Sequence, residues 1–153
     1  MGNIFNQDFK DFIQALTNNH VKYVLVGGYS VILHGHTRTT GDLDIWVEKS
    51  ESNYDLLVQA FNEFGLSLFD MTKSNFLSNP QLDVFTFGRP PVSIDIITSI
   101  KGCVFDQVFN NSLIIEIEGI EIRLIRLNDL LVAKKAANRP KDNDDINHLE
   151  TNK

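Results

Sequence analysis

The sequence is short of the features that mark secreted, membrane-spanning and nucleic-acid-coating proteins. It has one cysteine, Cys103, which excludes an intramolecular disulfide and makes the chain read as cytoplasmic. A buried or incidental thiol explains Cys103 more simply than a nucleophile does. No apolar run approaches the ~20 residues that a membrane span needs. Met1 to Lys10 is polar and mixed in charge, unlike a signal peptide. Cations are scarce: 14 Lys and Arg face 20 Asp and Glu, so the formal net charge is −6, which argues against a dedicated nucleic-acid binder while leaving room for a local basic patch. Prolines number four, and no linker, internal repeat or low-complexity stretch breaks the chain. The 153 residues therefore read as one domain, 1–153. The acid excess also suits a chain that gathers carboxylates and neutralises them with cations.

What is present alternates between two periodicities. Phe5, Phe9, Phe12, Ile13 and Leu16 follow helical spacing and predict a helix that ends near Asn18-Asn19. Tyr23-Val24-Leu25-Val26 is a short buried-strand pattern closed by Gly27-Gly28, and a short helix is expected from Tyr29 to His34, stopped by Gly35. A Thr/Gly-rich loop, His36 to Gly41, precedes a strand at Asp42–Val47 and an amphipathic helix at Glu51–Phe64. Leu66 to Leu82 fits no single pattern. Strands are expected at Val84–Phe87 and Val92–Ile97 around Gly88-Arg89-Pro90-Pro91, and a hairpin at Leu113–Ile117 and Ile120–Ile125 across Glu118-Gly119. Two helices follow, Asn128–Asn138 with Asn128 as N-cap, and Pro140–Leu149 with proline in its first turn. Interleaved strands and helices with a late hairpin point to an α/β (α+β) fold, a short mixed sheet flanked by helices.

Chemistry concentrates on the strand Asp42-Leu43-Asp44-Ile45-Trp46-Val47. Side chains alternate along a strand, so Leu43, Ile45 and Val47 form an apolar face, and Asp42, Asp44 and Trp46 point the other way. The two carboxylates stand about 6.5–7 Å apart at their α-carbons. From there they can converge on hard cations, which take oxygen ligands and share them with phosphates. Alone, the pattern also fits two solvated acids on a half-exposed strand. Trp46 can stack on a base or pack beneath a helix.

Three further features bear on that strand. Val26-Gly27-Gly28-Tyr29-Ser30 sits where a buried strand turns into a helix, a place where backbone N–H groups and the Ser30 hydroxyl can meet phosphate; glycine geometry alone is the other reading. Asp95 interrupts the apolar strand Ser93–Ile97, where an unpaired charge would be costly and a cation partner relieves it; an Asp on a water-facing strand edge is the alternative. Lys134, Lys135, Arg139 and Lys141 cluster in an otherwise acidic chain and suit a triphosphate or a solvated helix face. His34-Gly35-His36 has a spacing that suits a transition metal, although a helix end explains it more simply, and His20 and His148 carry no signal.

Together these pieces resemble the DNA polymerase β-like nucleotidyltransferase superfamily. That family carries a glycine pair followed at nine to thirteen residues by D-h-[D/E]-h, with a third carboxylate on a later strand. Here Gly27-Gly28 is followed by thirteen residues and then Asp42-Leu43-Asp44-Ile45, with Asp95 in the third position. Arg38-x-Thr40-x-Asp42-h-Asp44, Phe87-Gly88-Arg89-Pro90-Pro91 and Lys134-x-x-Ala137-x-Arg139-x-Lys141-Asp142-x-x-Asp145 are similar to a small bacterial single-domain branch, akin to minimal nucleotidyltransferases and AbiEii-type toxins.

The resemblance implies a nucleotidyltransferase fold and transfer of a nucleoside monophosphate from an NTP to an acceptor such as tRNA or a protein. It implies Mg²⁺ or Mn²⁺, two ions, with Asp42 and Asp44 on both and Asp95 on the catalytic one. Gly27, Gly28 and Ser30 would cradle the β- and γ-phosphates, and Lys134 and Lys141 would contact phosphate. Tyr29 stands where some members have a small residue before that serine. No segment reads as a separate acceptor-binding domain, so the implied acceptor is small or is presented by a partner. An antitoxin or HEPN-type partner belongs to the toxin-like version, with a monomer or homodimer as the assembly. The alternative is a catalytically weak copy of the fold that serves as an antitoxin or regulatory binding module. All three acidic positions are occupied, which favours an enzyme over that module. A metal-dependent phosphohydrolase acting through water is a third reading.

Overall fold

The computed structural model describes residues 4–89 and 92–151. The elements run α1 (Gln7–Asn18), β1 (Tyr23–Val26), α2 (Gly27–Leu33), β2 (Asp42–Val47), α3 (Glu51–Phe64), α4 (Lys73–Ser78), β3 (Val84–Arg89), β4 (Val92–Ile97), α5 (Phe105–Asn111), β5 (Leu113–Ile117), β6 (Ile120–Leu124), α6 (Leu127–Ala137) and α7 (Pro140–Thr151). Pro90 and Pro91, expected in the turn between β3 and β4, lie outside the described residues. The fold is the mixed α/β arrangement expected. Six strands form one sheet in the order β3-β4-β2-β1-β6-β5. The inner pairs β2/β4 and β1/β6 are parallel, and the other three are antiparallel.

Burial follows the strand alternation. Leu43, Ile45 and Val47 are fully buried on the face covered by α1 and α3, where Phe12 meets Phe61 and Phe64 edge-on at 5.6 and 5.3 Å. Phe85 and Phe87 of β3 are buried too, and Phe87 packs against Phe61. The opposite face carries Asp42 and Asp44, and on it Trp46 is buried edge-on against Phe105 of α5 at 5.3 Å. Trp46 thus packs beneath a helix and is not available to stack on a base.

Local chemistry sets most element ends. Asn6 accepts from the Phe9 N–H and Ser50 from the Asn53 N–H, each capping a helix start. Gly65 closes α3 at φ 88°. Pro140 opens α7, as expected of a residue with no N–H to satisfy. One expected cap is wrong: α6 begins at Leu127 with Arg126 in the cap position, so Asn128 lies inside the first turn and caps nothing. Arg126 is held instead by its Nε–H to the Asn111 carbonyl at 2.8 Å. The helix after β1 starts at Gly27, two residues earlier than the pattern suggested. Helices α4 and α5 were not foreseen. No helix among the described residues is long and apolar enough to cross a membrane.

Candidate active site

The parallel pairing of β2 and β4 brings distant acids together. Its register sets Asp44 opposite Asp95 and Asp42 opposite Ser93. The Ser93 hydroxyl donates to Asp42 Oδ1 at 2.7 Å, which fixes one carboxylate against the strand. Asp95 Oδ1 is buried with no hydrogen-bond partner. Burial, then the charge of Asp95, a shared hydrogen bond with it and the charge of Asp42 push the Asp44 carboxyl up to about 7, and Lys141 only partly offsets them. Like charges in so dry a place favour the neutral acid. The residues fit a hard divalent cation, which would relieve all of this: the donors are carboxylate oxygens, and one of them has nothing else to bind.

The glycine turn is built against these acids. Gly27 has φ +70°, and a Cβ there would run into the Asp44 carboxylate. A Cβ on Gly28 would meet Thr40 Cβ at 2.8 Å. Gly27 therefore lets the β1–α2 turn lie directly on the acidic strand, and Gly28 lets the 36–41 loop close over it. Gly27→Ala is expected to lower stability by at least about 2 kcal/mol, from positive-φ strain plus the displaced carboxylate, measured by urea unfolding.

Acids and glycines line one cavity of about 490 Å³, a size that suits a small-molecule ligand. Its remaining wall is basic and apolar. Lys134, Lys141, Arg139 and Arg38 supply the cations, and Val84, Ile97, Ile100, Leu130 and Ala133 the apolar surface. Seven of the eight residues singled out in the sequence as nucleotide or metal contacts reach this cavity: Gly27, Gly28, Asp42, Asp44, Asp95, Lys134 and Lys141. Ser30 does not line it. Its side chain is fully buried, and its hydroxyl donates to the Gly27 carbonyl at 2.6 Å, bracing the turn from inside.

Three of the four cations, Lys134, Arg139 and Arg38, are held by a buried carboxylate pair that shows in the sequence only as part of a motif. Asp142 and Asp145 are 0% and 1% exposed. Lys134 Nζ lies 2.9 Å from Asp142 and 3.0 Å from Asp145. Arg139 Nε bonds Asp142 at 2.6 Å, and the Arg38 guanidinium faces Asp145 through Nε at 3.0 Å and a terminal nitrogen at 3.2 Å. Burial opposes ionisation of Asp142, but its bonds from Arg139 and Lys134 outweigh that and hold its carboxyl at about 2. The signal was available in the i, i+3 spacing of Asp142 and Asp145, eight residues after Lys134. Arg38, 107 residues from Asp145, gave no such local sign.

The remaining candidates fall outside the cavity. His34 follows the last residue of α2, and its Nε2 meets the Ile125 carbonyl at 2.7 Å, so it marks the helix end. The Cys103 thiol is half-buried and pushed up by burial and by Asp129, the reverse of an activated nucleophile.

Solved structures share the fold, among them two nucleotidyltransferase-type proteins. The lincomycin-bound lincosamide antibiotic adenylyltransferase LnuA superposes with a TM-score of 0.57 at 16% identity, covering 99% of this chain and 100% of its own. An antigenic nucleotidyltransferase-like protein from Paracoccidioides brasiliensis superposes with a TM-score of 0.52 at 13% identity, covering 95% of this chain and 74% of its own. No functionally curated protein matches the chain in sequence. A sequence family described as "Nucleotidyl transferase of unknown function (DUF2204)" matches residues 6–152. With the glycine turn, the paired acidic strands and the basic wall in one cavity, the chain belongs to that nucleotidyl transferase family.

Proposed function

We propose that this protein transfers a nucleoside monophosphate from an NTP to an acceptor hydroxyl, using Asp42, Asp44 and Asp95. The observation that carries the reading is the register match of Asp44 with Asp95, in a cavity that also holds the glycine turn and four cations. When bound, Mg²⁺ or Mn²⁺, as two ions, would neutralise the carboxylates and phosphate oxygens and acidify the acceptor hydroxyl. Gly27 and Gly28 let backbone approach the β- and γ-phosphates. Lys134 and Lys141 stabilise the charge that builds on the leaving pyrophosphate, and Arg38 and Arg139 add to the same wall. Asp95, with one unpartnered oxygen, faces the acceptor and draws off its proton. The acceptor oxygen bonds to the α-phosphorus, the bond to the α–β bridging oxygen breaks, and pyrophosphate leaves.

The acceptor is a hydroxyl on a body that tolerates an apolar wall. The relative whose name states an acceptor acts on a lincosamide antibiotic, a small molecule. Resemblance to AbiEii-type toxins supports tRNA or protein as acceptor, with an antitoxin or HEPN-type partner. Labelled NTPs with Mg²⁺ or Mn²⁺ should therefore be offered to small hydroxyl compounds, tRNA and cell protein separately. Transfer to one set, lost in Asp42→Ala, is the expected result; transfer that persists unchanged in the variant would sink the assigned site.

The Asp44 proton makes a further prediction. Asp44 must lose its proton to bind a cation, and its carboxyl titrates near 7. Magnesium affinity should rise about tenfold per pH unit up to pH 7 and then level off. Calorimetric titration from pH 5.5 to 8.5 checks this, and a flat profile would show that Asp44 is not a ligand.

A further inference from the structure

His36 does not line the cavity of the three acids and belongs to a second cluster. Its side chain is 8% exposed, and its Nε2 is buried with no hydrogen-bond partner. Two carboxylate oxygens lie near it, Asp145 Oδ1 at 3.5 Å and Asp144 Oδ2 at 3.6 Å. Asp144 and His148 stand at i and i+4 on one face of α7, and one ligand atom from each of His36, Asp144 and His148 lies within 4.8 Å of the others. His148 Nδ1 lies 2.9 Å from the Asp144 carbonyl. Donating there puts the proton on Nδ1 and leaves a lone pair on Nε2, the way second-sphere bonds orient metal-bound histidines.

We propose that His36, Asp144 and His148 form a zinc site separate from the three-carboxylate cavity. Two ligand atoms each about 2.0–2.1 Å from a tetrahedral zinc are about 3.3 Å apart. The His36–Asp144 separation of 3.6 Å is too long for a hydrogen bond and close to that value. The donor set is two imidazoles and one carboxylate, which selects a borderline-soft ion over magnesium. The two histidine rings stack at 3.9 Å, so binding the ion requires the half-exposed His148 ring to turn off this stack and present Nε2. Asp145 Oδ2 is held by Lys134 and Arg38, so the fourth position falls to water or to Asp145 Oδ1, which has no hydrogen-bond partner. The ion clips the 36–41 loop to α7: His36 lies two residues before Arg38, and Asp144 is next to Asp145, so zinc tightens the bracket that holds Arg38 in the cavity wall.

The test uses the untagged full chain, stripped of metal, with zinc alone as the probe. Competition against a chromophoric chelator should show one tight equivalent per chain, and cobalt in its place should give the visible absorption of a tetrahedral ion. His148→Ala should weaken zinc binding at least tenfold and abolish that absorption, and Asp42→Ala should leave both intact. Zinc at a hundred times its dissociation constant should raise the melting temperature by about 5 °C or more, and His148→Ala should remove that shift. His148 is half-exposed, so this variant folds even where His36→Asn does not. No tight equivalent, or binding unchanged in His148→Ala, overturns the proposal. Loss of binding in Asp42→Ala would move the ion to the acidic strand and overturn it as well.

Discussion

Asp44→Asn is expected to lower the turnover number by about a thousandfold or more and, in the metal-free protein, to raise stability at pH 8. The first effect follows from removing a ligand that the proposed reaction needs at its charged centre. The second follows from the native carboxyl titrating near 7 against an ordinary 3.8. Between those values the folded chain keeps a proton that the unfolded chain has lost, so stability falls as pH rises through the window. Above pH 7 the whole penalty stands, and asparagine carries no charge to incur it. Urea unfolding should show the variant ahead by on the order of 2 kcal/mol at pH 8, after allowance for screening, with no difference near pH 4. Adding Mg²⁺ should narrow the gap by stabilising the parent alone. A variant that is less stable than the parent at pH 8 would show that the acids are not in conflict.

Lys134→Met is expected to be among the most damaging single substitutions. It takes the shared ammonium from Asp142 and Asp145, leaving two carboxylates that have almost no water. Breaking a buried pair from one side costs about 3–5 kcal/mol. Asp142 ionises at about 2 in the native protein, so its paired form contributes stability that is present above its ordinary 3.8 and lost as pH falls toward 2. Without Lys134 part of that contribution disappears, and acid unfolding followed by circular dichroism should begin at higher pH. The double variant Lys134→Met/Asp142→Asn should recover part of the loss, because Asp142 no longer carries a charge left with Arg139 alone. Additive losses in that cycle would mean that the two side chains do not act as a unit.

Much of this was readable in the chain because the relevant signals are local. Strand alternation put Asp42 and Asp44 on one face and three apolar residues on the other, and the structure keeps that division. The glycine pair and Pro140 announced a turn and a helix start for reasons confined to a few atoms. What escaped depends on partners far away in sequence. Helix α5 spaces Phe105, Val108 and Phe109 as a helix does, but it is only seven residues long, too short for that spacing to stand out; Phe105 anchors it by meeting Trp46, 59 residues earlier. Helix α4 fully buries only Phe76, with Leu77 partly buried beside it, in a six-residue helix too short to show a period. Asn128 looked like a cap because its residue type favours caps, but the anchoring of Arg126 to Asn111 starts the helix sooner. Ser30 has the right chemistry for a phosphate, and only the fold shows its hydroxyl turned inward.

The bracket of Arg38 against Asp145 also has a meaning in time. Residues 23–47 make the glycine turn and the acidic strand early in synthesis, but the carboxylate that fixes Arg38 is made roughly a hundred residues later. A growing chain can form its acidic face well before it has the means to align its cations. In a ribosome-bound chain, competence for transfer would therefore arrive in one late step, when α7 docks, rather than accumulate as the sheet assembles.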